Sequence, residues 1–178
     1  RDSWYTKKKL IKKNRDEFNK NFKRITKKLI SNLQLKNNVF VHRDFHISNL
    51  MLVNNRIGVI DSQDALIGNK AYDLASLVDD VRLKTPIKFK NKIYKYYIDR
   101  QHNLNKSKFK NDYDILSVMR NLKIIGIFTR LAIRDCKKGY SKLIPRAWEL
   151  IRIRINNQIF SELKKLLNQN FKKELNAN

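Results

Sequence analysis

The sequence contains few of the residues that cross-link a chain or constrain its backbone. It has one cysteine, two prolines and four glycines among 178 residues. The lone Cys136 excludes an internal disulfide and is typical of a reducing compartment, so we expect a cytoplasmic protein. The glycines all stand at position 58 or later, so no glycine-rich loop that could cradle phosphate groups precedes them.

Long hydrophobic runs are also lacking. The longest apolar stretch is IIGIF at 124–128, far shorter than the roughly 20 residues that a membrane-spanning helix requires. No secretory signal opens the chain, and its first residue is Arg1 rather than methionine. We therefore expect a fragment of a longer protein, without a membrane segment. An apolar fraction of 42% is enough for a folded core.

Acidic residues are scarce compared with basic ones. The chain has 40 Lys and Arg against 16 Asp and Glu, a formal net charge of +24 at pH 7. Such a charge could bind nucleic acid, but the lysines are spread from end to end rather than gathered in one stripe. We interpret the charge as a general compositional bias with solvated lysine faces. A basic nucleic-acid-binding protein remains an alternative function.

Most of the chain has helical periodicity. Apolar residues recur at helical spacing from Ile11 to Leu29, and this pattern stops near residues 35–38. Four or five further helices are predicted after Gly68, among them 71–83, one beginning at Pro86, a buried helix over 114–135 and a region opened by Pro145.

Between these helices the sequence is typical of short strands. Three runs rich in apolar and β-branched residues are predicted strands, at 39–41, 49–53 and 56–60. Asn54-Asn55 lies between the last two runs, and it predicts a tight hairpin turn because asparagine tolerates positive φ. The whole is an α+β fold that is mostly helical, with no recognisable linker or domain boundary.

Oxygen-bearing side chains collect around this hairpin. Asp44 lies on the loop before it, Asn49 immediately precedes it, and Asp61 directly follows it, so the returning chain should bring them together. Oxygen ligands favour Mg²⁺, which takes one or two protein carboxylates together with substrate phosphates. These are the parts needed for phosphoryl transfer from a nucleotide to a hydroxyl. The simpler alternative is a hydrated turn, where Asp and Asn are common.

The segment His42–Asn49, HRDFHISN, followed by Ile60-Asp61, resembles the catalytic loop and metal-binding aspartate of the protein-kinase-like fold. Histidine two residues after Asp44 resembles the aminoglycoside phosphotransferase and choline kinase family, since most protein kinases have lysine there. Three further segments resemble the bacterial cell-wall amino-sugar kinases, namely DSQDA at 61–65, YDLASL at 72–77 and NLKIIGIFTRL at 121–131. Those enzymes phosphorylate N-acetylmuramate and N-acetylglucosamine at the anomeric hydroxyl.

This resemblance implies roles for the residues of the motif. Asp44 would be the catalytic base, while Asn49 and Asp61 would hold Mg²⁺ on the phosphates of ATP. Three residues would support the loop, namely His42, Arg43 and Asp73. Three more would contact phosphate or substrate, namely His46, Gln63 and Asp64. For His46 loop support is an equal alternative, and Asp64 could instead be an exposed loop charge.

A complete enzyme of this kind has an N-terminal nucleotide lobe with a phosphate-covering loop and a strand lysine that binds the α- and β-phosphates. Neither is recognisable before Val39, because the opening segment is predicted helix. We therefore interpret residues 1–178 as the C-terminal, catalytic and substrate-binding lobe, inactive alone. The nucleotide lobe would come from upstream in the same gene or from a separate chain. An inactive kinase remnant is the alternative.

The acceptor is expected to be a small molecule, and several are compatible with the loop. Aminoglycoside, choline and homoserine kinases share the loop and differ in the helical region that shapes the substrate pocket. The net positive charge favours an anionic acceptor such as N-acetylmuramate over a cationic aminoglycoside or choline. One departure from the family is Ser62, which stands where an aromatic residue usually follows the metal-binding aspartate.

Overall fold

A computed structural model describes residues 4–10 and 12–177 of the chain. The α-helices are α1 (Trp4–Lys9), α2 (Lys12–Ser31), α3 (Ala71–Val78), α4 (Ile87–Asp99), α5 (Lys106–Ile133), α6 (Ile144–Arg154), α7 (Ser161–Asn170) and α8 (Lys172–Asn176). The strands are β1 (Asn37–Val41), β2 (Leu50–Val53), β3 (Arg56–Val59) and β4 (Leu66–Asn69). The prediction of a mostly helical α+β fold is confirmed.

The chain forms two compact units. One comprises Arg1–Asn32 together with Val118–Asn178, and the other is the continuous segment Leu33–Ser117. All four strands, α3 and α4 lie in the continuous segment, which is called the loop unit below because it carries the predicted catalytic loop. In the described parts of the chain, no helix is both long and apolar enough to cross a membrane.

The unit that comprises Arg1–Asn32 and Val118–Asn178 is called the helical unit below, and it is built around the apolar stripe of α2. Phe18, Ile25 and Leu29 are all buried, as their spacing predicts. Ile11, the first residue of that predicted stripe, lies outside the described residues. On the exposed side of α2, Arg24 Nη1 and Lys28 Nζ bind the Glu162 carboxylate at 2.9 and 2.5 Å, which ties α2 to α7.

The hairpin of the loop unit is formed by β2 and β3. These strands pair antiparallel, with Leu52 opposite Ile57 and Val53 opposite Arg56. Asn54 and Asn55 make the turn with φ of 48° and 59°, the positive values that a two-residue hairpin turn requires. The predicted hairpin and its turn are therefore confirmed.

The first strand does not join this hairpin, because it pairs with a strand that was not predicted. β1 runs antiparallel to β4, with Phe40 opposite Ile67 and Val39 opposite Gly68. A Cβ at Gly68 would lie 2.9 Å from Leu66 Cδ1 and 3.1 Å from Val41 Cγ2, so a larger residue there would displace these two side chains.

Several predicted helix boundaries are wrong. α3 ends at Val78 rather than residue 83, because Asp79 leaves the helical backbone conformation, and α5 begins at Lys106 rather than 114. The region that begins near Pro145 contains three helices, so six α-helices follow Gly68 in the described chain rather than the four or five predicted. The start of α4 directly after Pro86 agrees with the sequence.

The core of the loop unit lies between α3, α4 and the first half of α5. Its fully or nearly buried members are Ala71, Leu74, Ala75, Val78, Ile98, Phe109 and Tyr113. The N-terminus of α3 is thus fixed by packing, and this matters because α3 begins beside the predicted catalytic loop.

Candidate active site

The loop that connects β1 to β2 runs from His42 to Asn49 and ends in a short 3-10 turn, Ile47–Asn49. Arg43 within it has a φ of 72°, a conformation that is unusual for a residue with a side chain. Such a conformation persists only where the surrounding structure holds it. The contacts of the loop therefore decide its shape.

Asp73, in the first turn of α3, holds the start of the loop. Its Oδ2 accepts a hydrogen bond from the His42 N–H at 2.7 Å, and its Oδ1 accepts one from the Arg43 N–H at 3.0 Å. Hydrogen bonds to a charged acceptor are roughly twice as strong as neutral ones. One carboxylate thus fixes two consecutive peptide groups at the strained position.

His42 connects the loop to the end of the hairpin. Its side chain is 4% exposed, and Nε2 lies 3.0 Å from the carbonyl oxygen of Ile60. Because a carbonyl only accepts, Nε2 carries the proton. The imidazole also packs edge-on against Phe45, with ring centroids 6.1 Å apart. His42 therefore lies under the loop, one residue away from Asp61.

Asn49 lies where the loop meets the hairpin. It is 8% exposed, and its Nδ2 donates a hydrogen bond to the Asp44 carbonyl at 2.9 Å. Its own carbonyl accepts a hydrogen bond from the Ile60 N–H at 3.0 Å. The backbone therefore brings Asp44, Asn49 and the Ile60-Asp61 peptide to one end of the hairpin, the end at which the sequence analysis expected them.

The oxygen atoms at this junction fit a hard cation. The Asn49 amide nitrogen is directed to the loop backbone, so the other branch of the planar amide, Oδ1, is the atom available as a ligand. Asp61 is exposed and has a φ of 67°. No cluster of three or more His, Cys, Asp or Glu side chains suited to a metal occurs among the described residues. One carboxylate and one amide oxygen would instead suit Mg²⁺ that keeps waters and substrate phosphates as further ligands.

The three predicted contact residues occupy different environments. His46 is buried beside the 3-10 turn, whereas Gln63 and Asp64 are exposed in a turn after β3. The backbone carbonyl of Asp64 accepts a hydrogen bond from Arg43 Nη1 at 3.2 Å. The turn that carries Gln63 and Asp64 is thus linked to the loop.

Tyr97 of α4 lies close enough to the Asp73 carboxylate to interact with its charge. Burial raises the pKa of its hydroxyl, and the negative charge of Asp73 raises that pKa further. Tyr97 therefore remains a neutral hydroxyl at physiological pH, and it adds no negative charge beside the loop.

Two buried acids that organise the loop unit were not predicted from the sequence. Asp112 of α5 accepts hydrogen bonds from the N–H groups of Gln34 and Leu35, at 2.8 and 2.9 Å, and from Asn69 Nδ2. Asp80, just after α3, accepts one from the N–H of Ile47. The only signal in the sequence was an acid among apolar neighbours, which does not reveal its partners.

Comparison with known proteins now identifies the class. A profile of the phosphotransferase enzyme family matches residues 3–105, more than half of the chain. The chain therefore belongs to the phosphotransferase enzyme family, and the resemblance drawn from the His42–Asn49 motif is confirmed.

Three curated proteins that are similar to this chain have the same name. The N-acetylmuramate/N-acetylglucosamine kinase of Caulobacter vibrioides is 32% identical over 131 residues, which cover 71% of this chain and 36% of the relative. The kinase of the same name from Neisseria meningitidis is 38% identical over 120 residues, 64% of this chain and 36% of that protein. The Pseudomonas aeruginosa kinase is 37% identical over 131 residues, 70% of this chain and 39% of that protein.

This chain spans less than half the length of the curated relatives that it matches, between 36% and 45% of each. The family profile covers residues 3–105, which include the predicted catalytic loop and the β2–β3 hairpin but not the last twelve residues of the loop unit. The similarity therefore applies to the region of the candidate site and not to a whole relative.

Proposed function

We propose that this chain is the catalytic and substrate-binding part of a kinase that transfers a phosphoryl group from ATP to a hydroxyl of an amino sugar. N-acetylmuramate and N-acetylglucosamine are the proposed acceptors. The family membership supports the reaction class, and the shared name of the relatives supports the acceptor. A cytoplasmic role in recycling cell-wall sugars belongs to the same proposal.

One observation carries the proposal. The hydrogen bonds from Asn49 Nδ2 to the Asp44 carbonyl and from Ile60 N–H to the Asn49 carbonyl join the backbone at Asp44, Asn49 and Ile60, the residue before Asp61, and this supports a shared site. A hydrated surface turn does not need a buried asparagine whose side chain donates to the loop backbone. The junction has instead the oxygen donors that a phosphate-bound cation takes.

In this mechanism Asp44 accepts the proton of the acceptor hydroxyl as its oxygen bonds to the γ-phosphorus of ATP and the bond to the ADP oxygen breaks. Asn49 Oδ1 and the Asp61 carboxylate would hold Mg²⁺. When bound, this ion would neutralise the negative charge that develops on the phosphate oxygens. A positioned general base of this kind contributes roughly 10²–10⁴ to the rate.

The remaining residues of the motif support this reaction. Asp73 and His42 fix the loop through the hydrogen bonds described above, and Arg43 ties it to the turn at Asp64. We propose that His46, Gln63 and Asp64 contact the phosphate groups or the sugar.

The rest of the kinase, including its nucleotide lobe, is proposed to come from upstream in the same gene or from a separate chain. The exposed apolar side chains of the loop unit support this, since Leu52 and Ile57 of the hairpin are 72% and 64% exposed. Phe40 and Ile67, paired across β1 and β4, are 64% and 66% exposed. Apolar patches of this kind mark surfaces that another segment covers.

Transfer of label from γ-labelled ATP tests the function. A version extended upstream should phosphorylate N-acetylmuramate or N-acetylglucosamine in preference to an aminoglycoside, choline or homoserine, and the present chain alone should not. Asp44→Asn should lower the rate at least about 10²-fold without unfolding the protein, because the base is lost and the shape is kept.

The matched control is Asp99→Asn, which neutralises an exposed acid at the end of α4 and should leave the rate unchanged. Equal rates for Asp44→Asn and the parent would refute the assignment of the base. Equal activity of the present chain and the extended version would refute the proposal of a separate nucleotide lobe.

A further inference from the structure

The 3-10 turn that carries Asn49 is capped from outside. The first N–H groups of any helical turn lack partners within the turn, and the preceding side chain usually supplies one. His46 occupies that preceding position, and its side chain makes no capping hydrogen bond. Instead, Oδ2 of Asp80 accepts a hydrogen bond from the N–H of Ile47, the first residue of the turn, at 3.2 Å.

The location of Asp80 is costly for an acid. It is 2% exposed and follows the C-terminus of α3, where the helix dipole disfavours negative charge. Its Oδ1 is occupied by the backbone N–H and Nη1 of Arg82, at 3.0 and 3.1 Å. The second oxygen, Oδ2, is the one that accepts the hydrogen bond from the loop.

The capped residue, Ile47, stands two positions before Asn49, the candidate metal ligand. Asn49 is the last residue of the capped turn, its N–H donates to the His46 carbonyl at 2.9 Å, and its side chain donates to the Asp44 carbonyl. We propose that Asp80 is a positioning residue that fixes Asn49 relative to Asp44 by capping this turn. The significance for catalysis rests on the proposed function, but the positioning itself does not.

The loop would then be held from both ends of one helix. Asp73, in the first turn of α3, binds the start of the loop, and Asp80, just after the last turn, binds its middle. The neighbouring Asp79 has different partners, Ser117 Oγ at 2.6 Å and Lys90 Nζ at 3.3 Å, and neither belongs to the loop. Asp79 is therefore a matched control for the loss of a buried carboxylate at this end of α3.

Hydrogen exchange in the metal-free chain tests the proposal, with the parent compared with Asp80→Asn. In that variant the amide oxygen should face the two donors of Arg82, which leaves the NH₂ group against the Ile47 N–H. The backbone and side-chain amides of Asn49 should then exchange at least about tenfold faster, as expected for a lost charge-assisted hydrogen bond. Asp79→Asn should lower the melting temperature without this selective effect on Asn49.

A second substitution, Ile47→Pro, should rescue Asp80→Asn. Proline removes the unsatisfied N–H and suits the first position of a helical turn, and His46 already has the extended backbone, φ −140° and ψ 166°, that precedes proline. In the double variant, exchange at Asn49 should return to within about threefold of the parent rate, because the proline ring fixes φ where the cap did.

Three results would overturn the proposal. The first is an unchanged Asn49 exchange rate in folded Asp80→Asn, and the second is a double variant no slower than Asp80→Asn. The third is equal acceleration in Asp79→Asn, which would indicate general loosening of α3. If Asp80→Asn does not fold, the Ile47 amide of the parent decides, because exchange at the rate of an unstructured peptide would exclude the cap and slow exchange would support it. No metal or nucleotide is present, so these outcomes are independent of the kinase proposal.

Discussion

Asp73 holds the start of the loop with a single carboxylate. It accepts two backbone hydrogen bonds from consecutive residues, and one of these residues, Arg43, has a positive φ. Replacement by asparagine should leave one acceptor and place an NH₂ group against the second N–H. We expect Asp73→Asn to destabilise the loop unit by about 2 kcal/mol, a decrease of about 4–8 °C in melting temperature by calorimetry.

The control for this prediction is Asp99→Asn, an exposed acid of the same unit, which should change stability by less than about 0.5 kcal/mol. A melting temperature of Asp73→Asn equal to that of the control would contradict the proposed brace. It would show that the two hydrogen bonds contribute nothing beyond those that water makes with the open loop.

The candidate residues differ in how the sequence indicates them. Asp44, Asn49 and Asp61 were predicted from their positions around the hairpin, whereas Asp73 was predicted from the resemblance of residues 72–77 to the amino-sugar kinases. Asp80 was not found because its partner is the N–H of Ile47, which any residue except proline would offer. A backbone donor leaves no trace in the sequence, so such contacts become visible only in the structure.

Among the elements, the β2–β3 hairpin lies between Asn49 and Asp61 in the chain, and its turn offers a direct test. Asn55 has a φ of 59°, which glycine adopts without the steric cost that Cβ imposes. We expect Asn55→Gly to stabilise the hairpin by about 0.5 kcal/mol and Asn55→Val to destabilise it by more than about 1 kcal/mol. Amide exchange at Met51 and Gly58, which face each other two pairs away from Val53 and Arg56 at the turn, measures both, because hydrogen-bonded pairs alternate along an antiparallel ladder. The same sign for both variants would refute the turn.

The contact between α2 and α7 predicts a pH dependence. Hydrogen bonds from Lys28, and then from Arg24, hold the pKa of Glu162 below its ordinary value of 4.5. A carboxyl with a depressed folded-state pKa contributes stability above pH 4.5 and loses it as the pH falls through the depressed value. The parent should therefore be more stable than Glu162→Gln near pH 6, and the difference should disappear in stronger acid.

Urea unfolding at several pH values measures this difference, and high salt should reduce it because the pair is exposed. Glu17→Gln is the control, since Glu17 is an exposed glutamate of α2 with no ion pair to the described residues. An identical pH dependence of the parent and Glu162→Gln would contradict the assigned pair.

At the level of elements, local signals were reliable and long-range pairing was not. The asparagine pair predicted the turn of one hairpin, and Pro86 predicted the start of α4. β4 was missed because it is short, contains Gly68, and pairs with β1, which lies far away in the sequence. The end of α3 was misplaced because apolar residues continue past Val78, although the backbone leaves the helix at Asp79.

For the whole molecule, composition alone would have favoured a nucleic-acid-binding protein rather than a phosphotransferase. A formal charge of +24 favours association with polyanions, but the structural features of the loop unit involve acids: Asp44, Asp61, Asp73, Asp80 and Asp112. Asp73 and Asp80 together accept three hydrogen bonds from backbone N–H groups of the loop. These two acids thus hold the backbone of the loop that carries the proposed site residues.

The central claim is that the loop and the hairpin bring the Asn49 amide oxygen and the Asp61 carboxylate to one cation. Paramagnetic broadening by Mn²⁺ in the NMR spectrum of the chain tests it most directly. We predict selective broadening of Asn49, Asp61 and their immediate neighbours at low Mn²⁺, and its loss in Asp61→Asn but not in Asp99→Asn. Equal broadening at exposed acids such as Asp99, with none specific to Asn49 and Asp61, would contradict the account.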